Sequence, residues 1–362
     1  MNVLLIILII LVVLAAAAGL VILFYRPLGG VPNKKDLEDY AKRSSNFKDG
    51  KFYNENFFLM SHWTDPYAER GNREGTEPRE ALKAKKYIYT EPGSVENVLI
   101  TWFGHSTVLI QMHGMNILVD PVFAERTSPV SFAGPKRFSK FPCGIVGLPH
   151  IDMVLLTHDH YDHVDYESLR QLEDKTDRFI VPLGIDKDLE KFGIRQDKIT
   201  NMAWWEELNI NGLTVACTPS RHFAGRFLID AGKALWCSWT LKDEYHTIFD
   251  SGDGGYGEHF TDIQAKYGPV DLALLDSAQY STRWHDVHMF PEEAVQAAQD
   301  VDARIAMAVH WGAFVLSNHS WNDPVSRFTT RAKEVGLPYM APELGETVNI
   351  DDYEKYQAEW WQ

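Results

Sequence analysis

Thr157-His158-Asp159-His160-Tyr161-Asp162-His163-Val164-Asp165 sets three histidines and an aspartate in the pattern H-x-H-x-D-H. It directly follows the apolar run Met153-Val154-Leu155-Leu156, which reads as a buried strand. The cluster therefore falls at a strand's carboxyl end, where α/β proteins place their sites. Imidazole and carboxylate are costly to bury without partners, so core packing does not account for the stretch. Imidazole nitrogen and carboxylate oxygen suit Zn2+, and one ion takes about four such ligands. In an extended loop His158 and His160 point the same way and can share an ion, while Asp162 and His163 lie a turn further on. A second ion is expected there, and two-metal sites run hydrolysis.

Outward from this loop the same pattern recurs, an apolar strand finishing at a ligand-type residue. His222 follows the strand Leu213-Thr214-Val215-Ala216-Cys217. Asp253 lies in the turn Ser251-Gly252-Asp253-Gly254-Gly255, and His310 ends Ala306-Met307-Ala308-Val309. Asp120 and Asp165 are candidates to accept the second N–H of a metal-bound imidazole. The competing reading of each is a turn or helix-cap aspartate.

Several stretches narrow the pattern: Trp102-Phe103-Gly104-His105-Ser106-Thr107, Leu118-Val119-Asp120-Pro121, Gly134-Pro135-Lys136-Arg137-Phe138 and His310-Trp311-Gly312. With the H-x-H-x-D-H loop, the chain from about Val98 to about Ile350 resembles the metallo-β-lactamase fold. Within that fold it resembles the branch of N-acylphosphatidylethanolamine-hydrolysing phospholipase D and its bacterial relatives. The resemblance implies an α/β, four-layer αββα sandwich and two zinc ions per chain. By it His158, His160 and His222 hold one ion, Asp162, His163 and His310 the other, and Asp253 bridges them. A hydroxide between the ions is then the nucleophile. Asp162, Asp253 and His288 are the expected catalytic residues, His288 touching a phosphate oxygen or protonating the leaving group. Tyr280 and Arg283 are expected headgroup contacts, His285 a surface residue and His105 a structural histidine. Such relatives often carry Thr or Ser where this chain has Gly254, a lost hydroxyl that would loosen the loop.

The rest of the chain is read from composition. With 362 residues, 45% of them hydrophobic, there is ample material for a core. A net charge of −15 argues against nucleic acid as a partner. Cys143, Cys217 and Cys237 form no C-x-x-C and read as buried thiols. Residues 1–25 are expected to be a single-pass transmembrane anchor, since Val3 to Phe24 carries no charge. A cleaved signal peptide is the rival, with Ala15 to Ala18 as a cleavage region, but no Lys or Arg precedes the run. Arg26, Lys34 and Lys35 follow it, which sets the catalytic domain on the cytoplasmic side.

Residues 26–95 are expected to be a linker and N-terminal extension packed by aromatics such as Phe52-Tyr53 and Phe57-Phe58, with helices over Lys35–Arg43 and Pro78–Lys86. Residues 96–350 form the hydrolase domain and 351–362 a tail, in which Trp360-Trp361 reads as a frayed end or an interface anchor. Strands are expected over Val98–Trp102, Thr107–Met112, Asn116–Val119, Phe179–Pro182, Leu213–Cys217, Ala234–Trp239, Thr247–Asp250, Leu272–Leu275 and Ile305–Val309. Helices are expected over Ser168–Glu173, Ile185–Phe192 and Pro291–Asp300. These features predict a membrane-anchored dinuclear zinc phosphodiesterase acting on a membrane lipid. A same-fold hydrolase of a lactone, thioester or β-lactam keeps all the metal ligands. A metal-binding or partner-binding protein with little turnover is the alternative of another class.

Overall fold

The computed structural model describes residues 3–54, 75–91, 94–227 and 230–362. Helix α1 (Val3–Phe24) is followed by a short turn, Arg26–Leu28, and by α2 (Lys34–Arg43). Asn33 caps α2: its side chain accepts from Lys35 N and Asp36 N, and the Asp36 carboxylate accepts from Asn33 N. The hairpin β1 (Phe47–Lys48) and β2 (Lys51–Phe52) buries Phe47 and Phe52 against Tyr40 of α2, so this part of the extension packs as expected. Phe57 and Phe58 lie outside the described residues.

Chain order continues with β3 (Leu99–Trp102), β4 (Val108–Met112), β5 (Met115–Val119), β6 (Ile151–Leu155), α3 (Tyr166–Leu172), β7 (Thr176–Pro182), α4 (Ile185–Phe192) and β8 (Ile199–Met202). Then come β9 (Glu207–Ile210), β10 (Leu213–Thr218), β11 (Ser238–Lys242), β12 (Thr247–Asp250), α5 (His259–Tyr267), β13 (Val270–Asp276), α6 (Pro291–Asp300), β14 (Ala303–Val309), α7 (Asp323–Val335) and β15 (Thr347–Asn349). Two mixed sheets result, one ordered β15-β3-β4-β5-β6-β7-β8 and the other β14-β13-β12-β11-β10-β9. β6 and β13 are interior strands with parallel neighbours and near-continuous apolar burial, as strands covered on both faces require. Helix α4 packs against β7 and β8, and α6 against β13 and β14.

Three expectations are corrected. Pro78–Lys86 is not helical: Leu82, Lys85 and Tyr87 donate their N–H groups to Phe138 O, Leu344 O and Pro142 O, so neighbouring segments take the bonds a helix would need. The strand expected over Ala234–Trp239 starts only at Ser238, because Leu235 N and Cys237 N are spent on Leu183 O and Thr157 O. The tail is not frayed: Trp361 is buried and donates to Ser326 Oγ, while Trp360 stacks on Trp311. Among the described residues no helix is long and apolar enough to cross a membrane.

Candidate metal centre

The ligand-type residues are gathered where strands of both sheets end. The loop after β6 delivers His158, His160, Asp162 and His163; the segment after β10 delivers His222; β12, β13 and β14 lead to Asp253, Asp276 and His310. His158, His160 and His222 form one cluster, with His158 Nε2 2.9 Å and His222 Nε2 3.3 Å from His160 Nδ1. Asp162, His163 and His310 form a second, which His105 joins. Asp253 lies between them: its carboxylate is 3.8 Å from His158 Nε2, 3.1 Å from His163 Nε2 and 3.1 Å from His310 Nδ1.

Ring orientations are fixed from outside. His163 Nδ1 donates to Asp120 Oδ2 at 2.7 Å, and His222 Nδ1 to Val287 O at 2.9 Å. His158 Nδ1 lies 3.0 Å from Thr157 Oγ1, whose hydroxyl donates to the same Asp120 Oδ2 at 2.6 Å. Asp120 thus orients one histidine of each cluster, and each keeps its Nε2 turned inward. His105 Nε2 donates to Asp162 Oδ2 at 2.9 Å, a bond that turns the Asp162 carboxylate.

Do these groups fit metal ions? Among the described residues, His163 Nε2, His310 Nε2 and Asp253 Oδ1 are buried without a hydrogen-bond partner. Buried polar atoms left so are costly unless something coordinates them. Burial, and then the neighbouring histidines, hold His158 well below the ordinary imidazole range; burial does the same at His222 and His310 and pushes His160 down to about 3. Neutral imidazole is the ligating form. Burial also pushes Asp253 up to about 7 despite His163. Burial would lower His163 too, but Asp253, Asp162 and Asp120 outweigh it and hold it well above the usual range. A proton crowded among three carboxylates stands where positive charge is wanted, so the donor set fits divalent cations.

The centre opens on a cavity of about 190 Å3 lined by His160, Asp162, Asp253, His288 and His310, with Phe223, Trp284 and Leu316. His288 Nδ1 donates to Asp276 Oδ2 at 2.9 Å. Asp276, another strand-end carboxylate, went unrecognised in the sequence although Leu274-Leu275-Asp276 repeats the strand-then-ligand pattern. Gln279, which also lines the cavity, was missed as well; its side-chain amide donates to His310 O and Phe314 O.

Three expected residues do not join the site. Asp165 caps α3, accepting from Ser168 N at 2.9 Å and from Ser168 Oγ, because the helix start has the first claim on its carboxylate. Tyr280 is buried with its hydroxyl on Asp323 and its ring against Arg327, and Arg283 is half-buried; neither lines the cavity. His285 pairs with Glu293 at 2.8 Å on the surface, as expected.

At Gly254 the space of a side chain is taken by Ser220. A Cβ there would lie 2.5 Å from Ser220 Oγ, and that hydroxyl donates to Asp253 O at 2.6 Å. Ser220 therefore fills the space and makes the bond that a side chain at 254 would. Gly254→Ser should lower thermal stability, and Ser220→Gly in the same chain should restore most of it. Denaturation of both singles and the double, as a thermodynamic cycle, checks this coupling, expected at about 1–2 kcal/mol.

Comparison with known proteins agrees with this geometry. The family model for the beta-lactamase superfamily domain matches residues 115–311. An uncharacterized protein of Mycobacterium tuberculosis is 38% identical over 273 residues, 74% of this chain and 73% of its own. N-acyl-phosphatidylethanolamine-hydrolyzing phospholipase D 1 of Caenorhabditis elegans is 36% identical over 235 residues, 62% of this chain and 66% of its own. The crystal structure of a possible metal-dependent hydrolase from Veillonella parvula superposes with a TM-score of 0.56 over 70% of this chain and 99% of that one, at 18% identity, a likeness of fold. Two mixed sheets, buried His and Asp clusters at their strand ends and these matches together make the chain a member of the metallo-β-lactamase superfamily of metal-dependent hydrolases.

Proposed function

We propose that the chain is a membrane-associated phosphodiesterase of phospholipase D type, holding two zinc ions and cleaving N-acylphosphatidylethanolamine-like lipids. The ring of ligand-type groups around Asp253, open to a cavity, carries the metal-hydrolase reading. The lipid class is supported by likeness to the worm phospholipase D over 62% of the chain. Bound divalent ions supply Lewis acidity toward a phosphoryl oxygen and ionised water at neutral pH.

The chain's own residues do the rest. His158, His160 and His222 would hold one ion, Asp162, His163 and His310 the other, with Asp253 between. His288 faces the cavity with Nδ1 tied to Asp276. Burial lowers its basicity, but Asp276, then Asp253 and Asp162, outweigh that and hold it above the ordinary range. A protonated His288 can give its Nε2 proton to the leaving oxygen. His288→Gln should lower kcat by about 10²–10⁴-fold while leaving bound zinc unchanged. A group that acts protonated loses its effect as pH rises through its pKa, so the alkaline limb of the wild-type kcat profile should vanish in the variant. An unaltered limb would assign it to another group.

Placement at a membrane is supported by α1, whose 22 residues carry no charge. At its foot the Tyr25 hydroxyl bonds Pro129 O, beside a loop in which Phe132 is 83% and Val146 94% exposed. Such apolar exposure suits a surface turned to lipid. The basic residues after α1 favour the cytoplasmic side.

The test supplies zinc-loaded full-length protein in detergent micelles with N-acylphosphatidylethanolamine and, separately, a lactone and a thioester. Phosphatidic acid and N-acylethanolamine, identified by mass spectrometry and lost in His160→Ala, are expected. Intact lipid with turnover of the lactone or thioester would move the assignment to that chemistry.

A further inference from the structure

Two carbonyls of the ligand loop, Asp159 O and Val164 O, accept from Arg226 Nη1 at 2.7 and 2.8 Å. The guanidinium lies 4.2 Å from the Tyr161 ring, and the Tyr161 hydroxyl donates to Arg226 O at 3.0 Å. Gly225 N donates to Asp159 Oδ1 at 2.7 Å. Residues 225 and 226 therefore grip the loop bearing His158 and His160, and they belong to the segment that bears His222. Arg226 is 6% exposed, so this grip is buried.

Arg226 has a third partner. Its Nη2 donates at 2.9 Å to Pro27 O, in the turn that follows α1. That turn is closely seated on α4: Gly30 N donates to Asp188 Oδ1 at 2.8 Å, and a Cβ on Gly30 would lie 2.1 Å from Lys187 O. At Gly29, φ is +81° and a Cβ would meet Asp188 Oδ1 at 2.1 Å and Arg226 Cδ at 2.8 Å. Two adjacent positions without room for a side chain let backbone approach both α4 and Arg226.

From this geometry we propose that Arg226 is a positioning residue for the metal centre, and that the Pro27–Gly30 segment at the foot of α1 sets its position. The inference rests on the metal reading above and is independent of the lipid one. The planar fork of an arginine can hold three carbonyls at once, which a lysine's point charge cannot. Unseating Pro27–Gly30 releases one of those partners, lets the guanidinium shift, and loosens His158 and His160 relative to His222. Metal affinity then reports how the foot of α1 is seated.

The experiment measures the zinc dissociation constant of the full chain in detergent by competition with a chromophoric chelator. Arg226→Met is expected to weaken zinc binding about 10–100-fold, the range seen when groups supporting metal ligands are removed, with Arg226→Lys in between. Gly30→Val, which touches neither the ligand loop nor Arg226's own side chain chemistry, is expected to weaken it about tenfold and to speed amide exchange in residues 158–164. If Arg226→Met does not fold, Gly30→Val decides. Folded variants that lose thermal stability but bind zinc as wild type does, with exchange in 158–164 unchanged, would overturn the proposal. A wild-type chain that binds no zinc would overturn the metal reading beneath it.

Discussion

Asp253→Ala should yield a folded protein with kcat/KM lowered by about 10³-fold or more, because bound metal contributes several kcal/mol of charge stabilisation in the transition state and each 1.36 kcal/mol is tenfold. The size of the effect follows from position. Asp253 lies within 3.8 Å of a histidine from each cluster, so its loss affects both at once, unlike the loss of any single imidazole. It also leaves His163 with two neighbouring carboxylates in place of three. Steady-state rates with added zinc measure the loss. Rates within tenfold of wild type would mean that Asp253 is not shared between ions.

Asp120→Asn is the second large effect expected. One carboxylate accepts from Thr157 N at 2.9 Å, Thr157 Oγ1 at 2.6 Å and His163 Nδ1 at 2.7 Å, and is itself 1% exposed. An amide has one acceptor oxygen, so its NH2 must face at least one of these donors. With its NH2 in the Oδ2 place the bonds from His163 Nδ1 and Thr157 Oγ1 are both lost; in the Oδ1 place it opposes Thr157 N, the backbone that leads into His158. Zinc affinity should fall about 10–100-fold, and the metal-free chain should lose about 1–3 kcal/mol through the unsatisfied buried group. Chelator competition and denaturation in excess chelator separate the two terms.

The metal centre was legible because its ligands end apolar strands, and that junction is written in the chain: Leu155-Leu156-Thr157-His158 and Ala308-Val309-His310 each switch from core to ligand within two residues. Asp276 repeats the switch and was overlooked only because a carboxylate at a strand end is common. Asp165 was ambiguous. The Asp-x-x-Ser spacing before α3 is a cap signal that competes with proximity to His163, and the local backbone bond wins. Tyr280 and Arg283 could not be assigned from sequence, since residues just past a strand point wherever packing directs them, and the Tyr280 hydroxyl turns to Asp323.

Helix α7 escaped notice although Asn322-Asp323-Pro324 and Gly336 mark its ends, because the residues between them are mostly polar. The opposite error occurred at Pro78–Lys86, where acidic residues suggested a helix start but the segment instead bonds backbone to backbone along residues 138–142 and 344. The role of Arg226 was invisible for a further reason. Its three carbonyl partners come from positions 27, 159 and 164, and only the folded chain brings them together.

The measurement that bears most directly on the account is the metal content of purified, folded protein equilibrated with zinc, counted per chain by mass spectrometry of the elements. Two ions per chain are predicted in the wild type, with fewer in Asp253→Ala and in His160→Ala. A wild-type chain that holds less than one ion, while remaining folded in excess zinc, would contradict it.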